Sequence, residues 1–179
     1  MAGPAPGLLV SAVSTRLRPV RRADRRLLEA WDRTPGSEFE DLGGEPPPGV
    51  RAADRLPLPP GSGALAVTDG DDVLLGSVGW HPVAYGPNAG SRALDIGISL
   101  HPSTWGQGHG TRAQRMLAEY LFATTPVHRV QASTDLRNVG EQRALERAGF
   151  AREGVLRGAQ WRRGEYHDLL SYARLRTDA

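Results

Sequence analysis

The chain contains neither cysteine nor lysine. Without cysteine there can be no disulfide, no thiolate metal ligand and no enzyme thiol to carry an acyl group. Without lysine, the phosphate-binding loop that ends in Gly-Lys-Ser/Thr is excluded, as are Schiff-base chemistry and a lysine base; all 22 basic residues are arginine. Long apolar runs are also missing, so no membrane-spanning helix is expected. The N-terminal MAGPAPGLLVSA lacks the basic flank and apolar stretch of a signal peptide. Residues 1–12 therefore read as a loose leader, residues 13–179 as one domain, and the cytoplasm as its compartment. The formal charge is only +2 with the arginines read as scattered, so no nucleic-acid partner is expected.

What is present is organised around Leu94–Leu121. Leu94 to Leu100 is a short β-rich apolar run that Pro102 stops. Gly106, Gly108 and Gly110 punctuate a loop, after which Ala113, Met116, Leu117, Tyr120 and Leu121 recur at helical spacing. The first N–H groups of such a helix lack intrahelical partners and sit at the positive end of its dipole. Strand, glycine loop and helix together therefore read as a diphosphate cradle.

Earlier in the chain, Thr15–Val20 suits an edge strand and the run from Ala23 places Leu27, Leu28 and Trp31 on one helix face. Thr34–Leu42 reads as a second short helix with acidic residues, and the six prolines of Gly43–Gly63 make a long loop. Ala64–Thr68 and Val73–His81 form a hairpin about Asp69–Asp72. Val127–Thr134 alternates as a half-buried strand. Asn138 then caps a helix with Glu141 at N3 and Gly149 as C′. Phe150–Leu156 and Tyr166–Leu175 close the fold as an antiparallel pair about a turn at Gly158–Gly164. The expected order is β-α-α-β-β-β-α-β-α-β-β.

Gly108, Gly110 and Ala113 match a dinucleotide fingerprint, but its context is wrong: three strands precede it, and the strand Val127–Thr134 ends in no carboxylate. Strand, Trp105-x-x-Gly108-x-Gly110 loop and helix instead resemble the coenzyme-A pyrophosphate motif of the GNAT acetyltransferases, with Trp105 where Arg or Gln is usual. Asn138, Leu145, Glu146, Arg147, Gly149 and Phe150 resemble a second motif, that of the ribosomal-protein N-terminal (RimJ/RimL-like) branch. The likeness spans roughly Thr15 to Leu175.

This resemblance implies an α/β (α+β) fold, a mixed, mostly antiparallel sheet splayed at the central strand with flanking helices. It also implies transfer of an acetyl group from acetyl-CoA to a primary amine, on a small molecule or a protein N-terminus, by direct attack and without a metal. The Ile98 N–H would hold the oxyanion and Leu100 the pantetheine arm. Trp105, Gly106, Gln107, Gly108, His109, Gly110, Thr111, Asn138 and Arg143 would contact the cofactor. Asp95 is a candidate base, or a strand Asp paired with an arginine; His81 and His167 are alternatives. Glu141 stands where the branch commonly has Ser. Its helix N-terminus and cap bond predict an ionised carboxylate, serving as a cap and as a candidate catalytic group. Glu38, Phe39, Trp80, His81, Tyr85 and His167 are the candidate acceptor contacts. Dimerisation is common among such enzymes. A non-catalytic acyl-CoA sensor, or a transferase using a bulkier acyl donor or aminoacyl-tRNA, is the alternative.

Overall fold

In a computed structural model, residues 14–32, 38–39, 47–48 and 60–178 are described. The elements run β1 (Arg16–Pro19), α1 (Arg22–Asp32), β2 (Gly63–Thr68), β3 (Leu74–Ala84), β4 (Arg92–Leu100), α2 (His109–Thr124), β5 (Arg129–Asp135), α3 (Val139–Arg147), β6 (Ala151–Arg162) and β7 (Glu165–Leu175). They build a seven-stranded sheet in the order β1-β2-β3-β4-β5-β7-β6. Every neighbouring pair is antiparallel except β4–β5. The expected α/β order holds, apart from the second helix at Thr34–Leu42. That helix lies outside the described residues except for Glu38 and Phe39, which sit in a turn. The leader and most of the proline-rich loop lie outside them too. Among the described residues no helix is long and apolar enough to cross a membrane.

Two sequence expectations shift in detail. The buried face of α2 is Ala113, Gln114, Leu117, Ala118 and Leu121, whereas Tyr120 is exposed. The helix is thus rotated towards a polar residue, Gln114, that a hydrophobic pattern passes over. The closing hairpin is longer than its glycines suggested: β6 continues to Arg162, and the turn is Arg163-Gly164, both at positive φ. Gly158 lies inside the strand at a register shift, a bulge and not a turn.

Helix α3 forms as its sequence dictates. The Asn138 side chain accepts from the Glu141 N–H at 3.2 Å. At the other end Gly149 takes φ +95°, its N–H reaches Glu146 O, and the Phe150 N–H reaches Leu145 O. This is a Schellman stop, with buried Phe150 and Leu145 as its apolar contact. Helix α1 is secured differently. Buried Asp24 accepts from the Arg21 N–H at 2.6 Å and from both terminal nitrogens of Arg18 at 2.5 and 3.1 Å, tying the helix start to β1. The core between α2, α3 and the sheet is filled by Val67, Val78, Leu94, Ile96, Leu117, Val130, Leu145 and Tyr172.

β3 approaches β4 closely at Gly76, where a Cβ would lie 2.1 Å from the Ser99 carbonyl oxygen. Backbone cannot yield there as a flexible side chain would. Gly76→Ala is expected to destabilise the chain by about 2–4 kcal/mol, read as a lowered denaturation midpoint in urea, because β4 must shift to admit one methyl group.

Candidate functional site: a cleft where the sheet opens

The parallel ladder between β4 and β5 is short. It pairs Ala93 with Arg129, Leu94 with Val130 and Asp95 with Gln131, and then stops, although both strands continue. The Gln131 side-chain amide donates to the Asp95 carboxylate at 2.9 Å across the last pair. Tyr85 OH donates to Gln131 Oε1 at 2.5 Å, with the Arg129 guanidinium over the Tyr85 ring. Beyond this clasp the strands diverge around a cleft of about 990 Å3.

The phase of the β3–β4 ladder decides which backbone groups face the opening. The His101 N–H donates to Leu75 O at 2.8 Å, and the register is unbroken from there to Arg92. Hydrogen-bonded pairs alternate with non-bonded ones in an antiparallel ladder. The backbone groups of Ser99, Gly97 and Asp95 thus turn towards β3, and those of Ile96, Ile98 and Leu100 turn away from it, towards the cleft. The Leu100 carbonyl is engaged by the Trp105 indole N–H at 2.8 Å.

One end of the cleft is formed by Trp105, Gly106, Gly108, His109, Gly110 and Thr111 with Asn138, Glu141, Arg143, Ala144 and Arg147. Gly106 and Gly108 hold φ of +73° and +82°, a conformation costly for other residues. Gly108 is the N-cap of α2, so Gly110 belongs to the helix's first turn and not to the loop. The N–H groups of that turn have no partners within the helix and border the cleft. His109 is buried and bonds Thr15 Oγ1 at 2.9 Å through Nδ1; burial and the Arg112 charge push its pKa down. Gln107 caps the Ser103 carbonyl and is absent from the lining.

Glu141 departs from expectation. Only half of the capping box forms, because the Asn138 N–H donates to Asp135 O at 3.0 Å. The Glu141 side chain lines the cleft beside buried Gln114, whose amide also donates to Gly110 O at 3.3 Å. Burial lifts the Glu141 carboxyl to about 7, against the downward pull of a Gln114 hydrogen bond. The expected lowering by the helix terminus is therefore overturned, and near neutrality the group exchanges its proton readily.

Phe39, Ser133, Asp135, Gln160 and Leu169 line the cleft as well, and α1 contributes Glu29, two residues before Trp31, whose ring lies 4.9 Å from that of His101. Asp135 is buried and paired with Arg162 Nη2 at 2.5 Å; it also accepts from the Arg137 N–H at 2.7 Å. Burial alone would raise its pKa, but the Arg137 N–H and the Arg162 and Arg137 guanidinium groups together hold it below the ordinary carboxylate range. His167 joins this cluster, its Nε2 3.0 Å from Arg162 O and its Nδ1 3.6 Å from Asp135. Phe39 stacks beneath Arg137 and Arg162, and Glu38 pairs with Arg137 at 3.6 Å.

The remaining candidates fall elsewhere. Trp80 lies on the α2 side of the sheet, against Tyr120 and across Gly63, with its N–H on Gly61 O. Tyr85 belongs to the clasp and His81 pairs with Asp95 across β3 and β4, neither lining the cleft; Asp95 is the clasp's acceptor, its pKa raised by burial against the Gln131 bond and the charges of His81 and Arg129. The arginine partner considered for Asp95 is replaced by Gln131. Sequence reasoning missed Glu29, Gln114, Asp135, Gln160, Arg162 and Arg147. For Asp135 the signal was one residue away: β5 extends past Thr134 and does end in a carboxylate. The antiparallel sheet order removes the dinucleotide fold without that argument.

The family model for the acetyltransferase (GNAT) domain matches residues 15–151. The probable N-acetyltransferase YjcK of Bacillus subtilis is 36% identical over 90 residues, which cover 50% of this chain and 48% of that protein. The uncharacterized N-acetyltransferase p20 of Bacillus licheniformis is 25% identical over 107 residues, 60% of this chain and 58% of that one. The chain spans about half the length of the curated relatives it matches. Among solved structures, Vibrio cholerae spermidine N-acetyltransferase, in complex with CoA and spermine, aligns with a TM-score of 0.71 at 19% identity, over 92% of this chain and 97% of that one. Mycobacterium smegmatis RimJ, in complex with CoA-disulfide, gives 0.68 at 20% identity over 93% and 86%. At such identities the likeness shows the fold, a mostly antiparallel sheet opened between two central strands. With the family model matching from the start of β1 through α3, the chain belongs to the GNAT acetyltransferase family.

Proposed function

We propose that this chain transfers an acetyl group from acetyl-CoA to a primary amine, on a small molecule or a protein N-terminus. The observation that carries the reading is the convergence, in one cleft, of the Ile98 backbone, the first turn of α2 and Glu141. The α2 N–H groups suit a diphosphate. Trp105, Asn138 and Arg143 border the path of the pantetheine and phosphates. The gap between β4 and β5 lets the acyl end reach the far face of the sheet, where the acceptor enters beside Glu29, Phe39 and Asp135.

The chemistry then follows from the groups present. The neutral amine nitrogen bonds to the thioester carbonyl carbon. The Ile98 N–H donates to the oxygen as it gains negative charge, a term of about 10²–10³ in rate for one such donor. When the oxygen's electron pair returns, the C–S bond breaks. Glu141 gives its proton to the leaving thiolate and, now ionised, takes the surplus proton from the acetylated nitrogen. A carboxyl at about 7 serves both directions, which an ordinary carboxylate does not. Asp135 is held ionised by Arg162 and suits electrostatic attraction of an ammonium group. We assign Asp95 to the clasp that sets where the strands part.

Glu141→Gln tests the assignment. It should lower kcat about 10²-fold or more, while acetyl-CoA affinity by calorimetry changes little. Because the protonated carboxyl is the active form, kcat of the native chain should bend downward above pH about 7, and this limb should vanish in the variant. Unchanged transfer at saturating substrates would remove Glu141 from the mechanism.

The same group gives a stability prediction. Its folded value, about 7, lies above the ordinary 4.5, so the fold favours the protonated form. Below pH 4.5 folded and unfolded chains both carry it neutral; as pH rises towards 7 the unfolded chain ionises first and stability is lost. Relative to the native chain, Glu141→Gln should therefore gain about 1–3 kcal/mol between pH about 4 and 8, read from urea midpoints. A constant difference across that range would show that the carboxyl is solvated.

A further inference from the structure

Arg21 precedes helix α1, whose first two turns carry Arg22, Arg25 and Arg26. Arg21 pairs with Asp72 at 2.5 Å, but among the described residues no carboxylate lies within ion-pairing distance of Arg22, Arg25 or Arg26. With Glu29 these three occupy positions i, i+3, i+4 and i+7, one exposed helix face lining a shallow recess. Glu29 also lines the large cleft, so the recess and the cleft meet at this residue. Nor does Glu29 neutralise its neighbours: although it stands one turn beyond Arg25 and Arg26, no ion pair forms. The positive end of the helix dipole favours acidic residues, a preference met by Asp24, but Asp24 is bonded to Arg18 and to the Arg21 N–H and leaves these three guanidinium groups unpaired. Among the described residues the three guanidinium groups therefore stand on an exposed face without a carboxylate partner, a surface open to an acidic ligand.

Resting on the acetyltransferase reading above, we propose that the acceptor is the N-terminus of an acidic polypeptide segment, whose carboxylates dock on Arg22, Arg25 and Arg26 while its amine passes Glu29 into the cleft. The charge order fits such a segment from end to end. An ammonium group meets the carboxylates of Glu29 and Asp135 inside, and the acidic side chains that follow meet guanidinium groups outside. Guanidinium clusters bind carboxylates through paired N–H donors, the usual chemistry of acidic-motif recognition. A nucleic acid would satisfy the arginines but offers no amine of comparable nucleophilicity for the cleft.

The test compares three hexapeptides with the same N-terminal alanine, followed by acidic, amide or basic residues, with phenethylamine as a reference acceptor free of negative charge. The acidic peptide should have the highest kcat/KM, by about tenfold or more over the amide peptide, and the advantage should shrink between about 50 and 300 mM salt. In the triple variant Arg22→Glu, Arg25→Glu, Arg26→Glu, KM for the acidic peptide should rise about tenfold or more with kcat retained, and the basic peptide should become preferred. An unchanged kcat for phenethylamine and an unchanged circular dichroism spectrum show that the variant is folded. Equal kcat/KM for the three peptides, or an unchanged KM in the variant, overturns the proposal while phenethylamine turnover leaves the acetyltransferase reading standing. Competition by a short RNA oligomer stronger than by the acidic peptide also overturns it, in favour of a nucleic-acid partner. If no amine is acetylated although acetyl-CoA binds, the acetyltransferase reading itself falls.

Discussion

Everything at the site depends on a hydrogen-bond ladder that ends early. β4 and β5 pair for three residues and part at Asp95 and Gln131. Parallel strands that separate leave backbone groups without partners, and such groups are costly to bury unless something else bonds them. Here the exposed edge of β4 is the useful surface: the phase set by His101 and Leu75 turns the Ile96, Ile98 and Leu100 groups into the gap. The clasp of Tyr85, Gln131 and Asp95 holds the point of separation, so the gap opens at a fixed residue instead of unzipping further.

Around that gap, two carboxylates of similar intrinsic acidity are driven apart by their surroundings. Asp135 has a buried guanidinium, a backbone N–H and a nearby histidine, and stays ionised. Glu141 has burial and one amide, and rises to about 7. The cleft thus carries an ionised, arginine-paired carboxylate at the end of β5 and an exchangeable proton beside the first turn of α2. Gln114 connects the second of these to the first turn of α2, since its amide serves both Gly110 O and the Glu141 carboxyl.

Much of this was legible in the chain. The capping and Schellman signals around α3 are local, and Asn138, Gly149 and Phe150 do what their types and spacing dictate. The glycine loop and the start of α2 were readable for the same reason, to within one residue at Gly110. What failed was non-local. The environment of Glu141 depends on Gln114 of another helix, and no spacing within α3 reveals it. Trp80 sits on the core side because strand alternation places it opposite Ile96, a parity that the pattern of its own segment did not settle. Asp135 was hidden by a one-residue strand boundary, and Arg162 by a hairpin longer than its glycines implied.

The arginine-only composition has a chemical consequence for an enzyme of this family. A lysine amine loses its proton often enough to be acylated, whereas a guanidinium stays charged at every physiological pH. With 22 arginines and no lysine, no side chain of this protein offers a nucleophilic amine to an acyl thioester, its own or any other. The cationic face of α1, which shares Glu29 with the cleft, therefore carries no side chain that an acyl thioester held there could acylate.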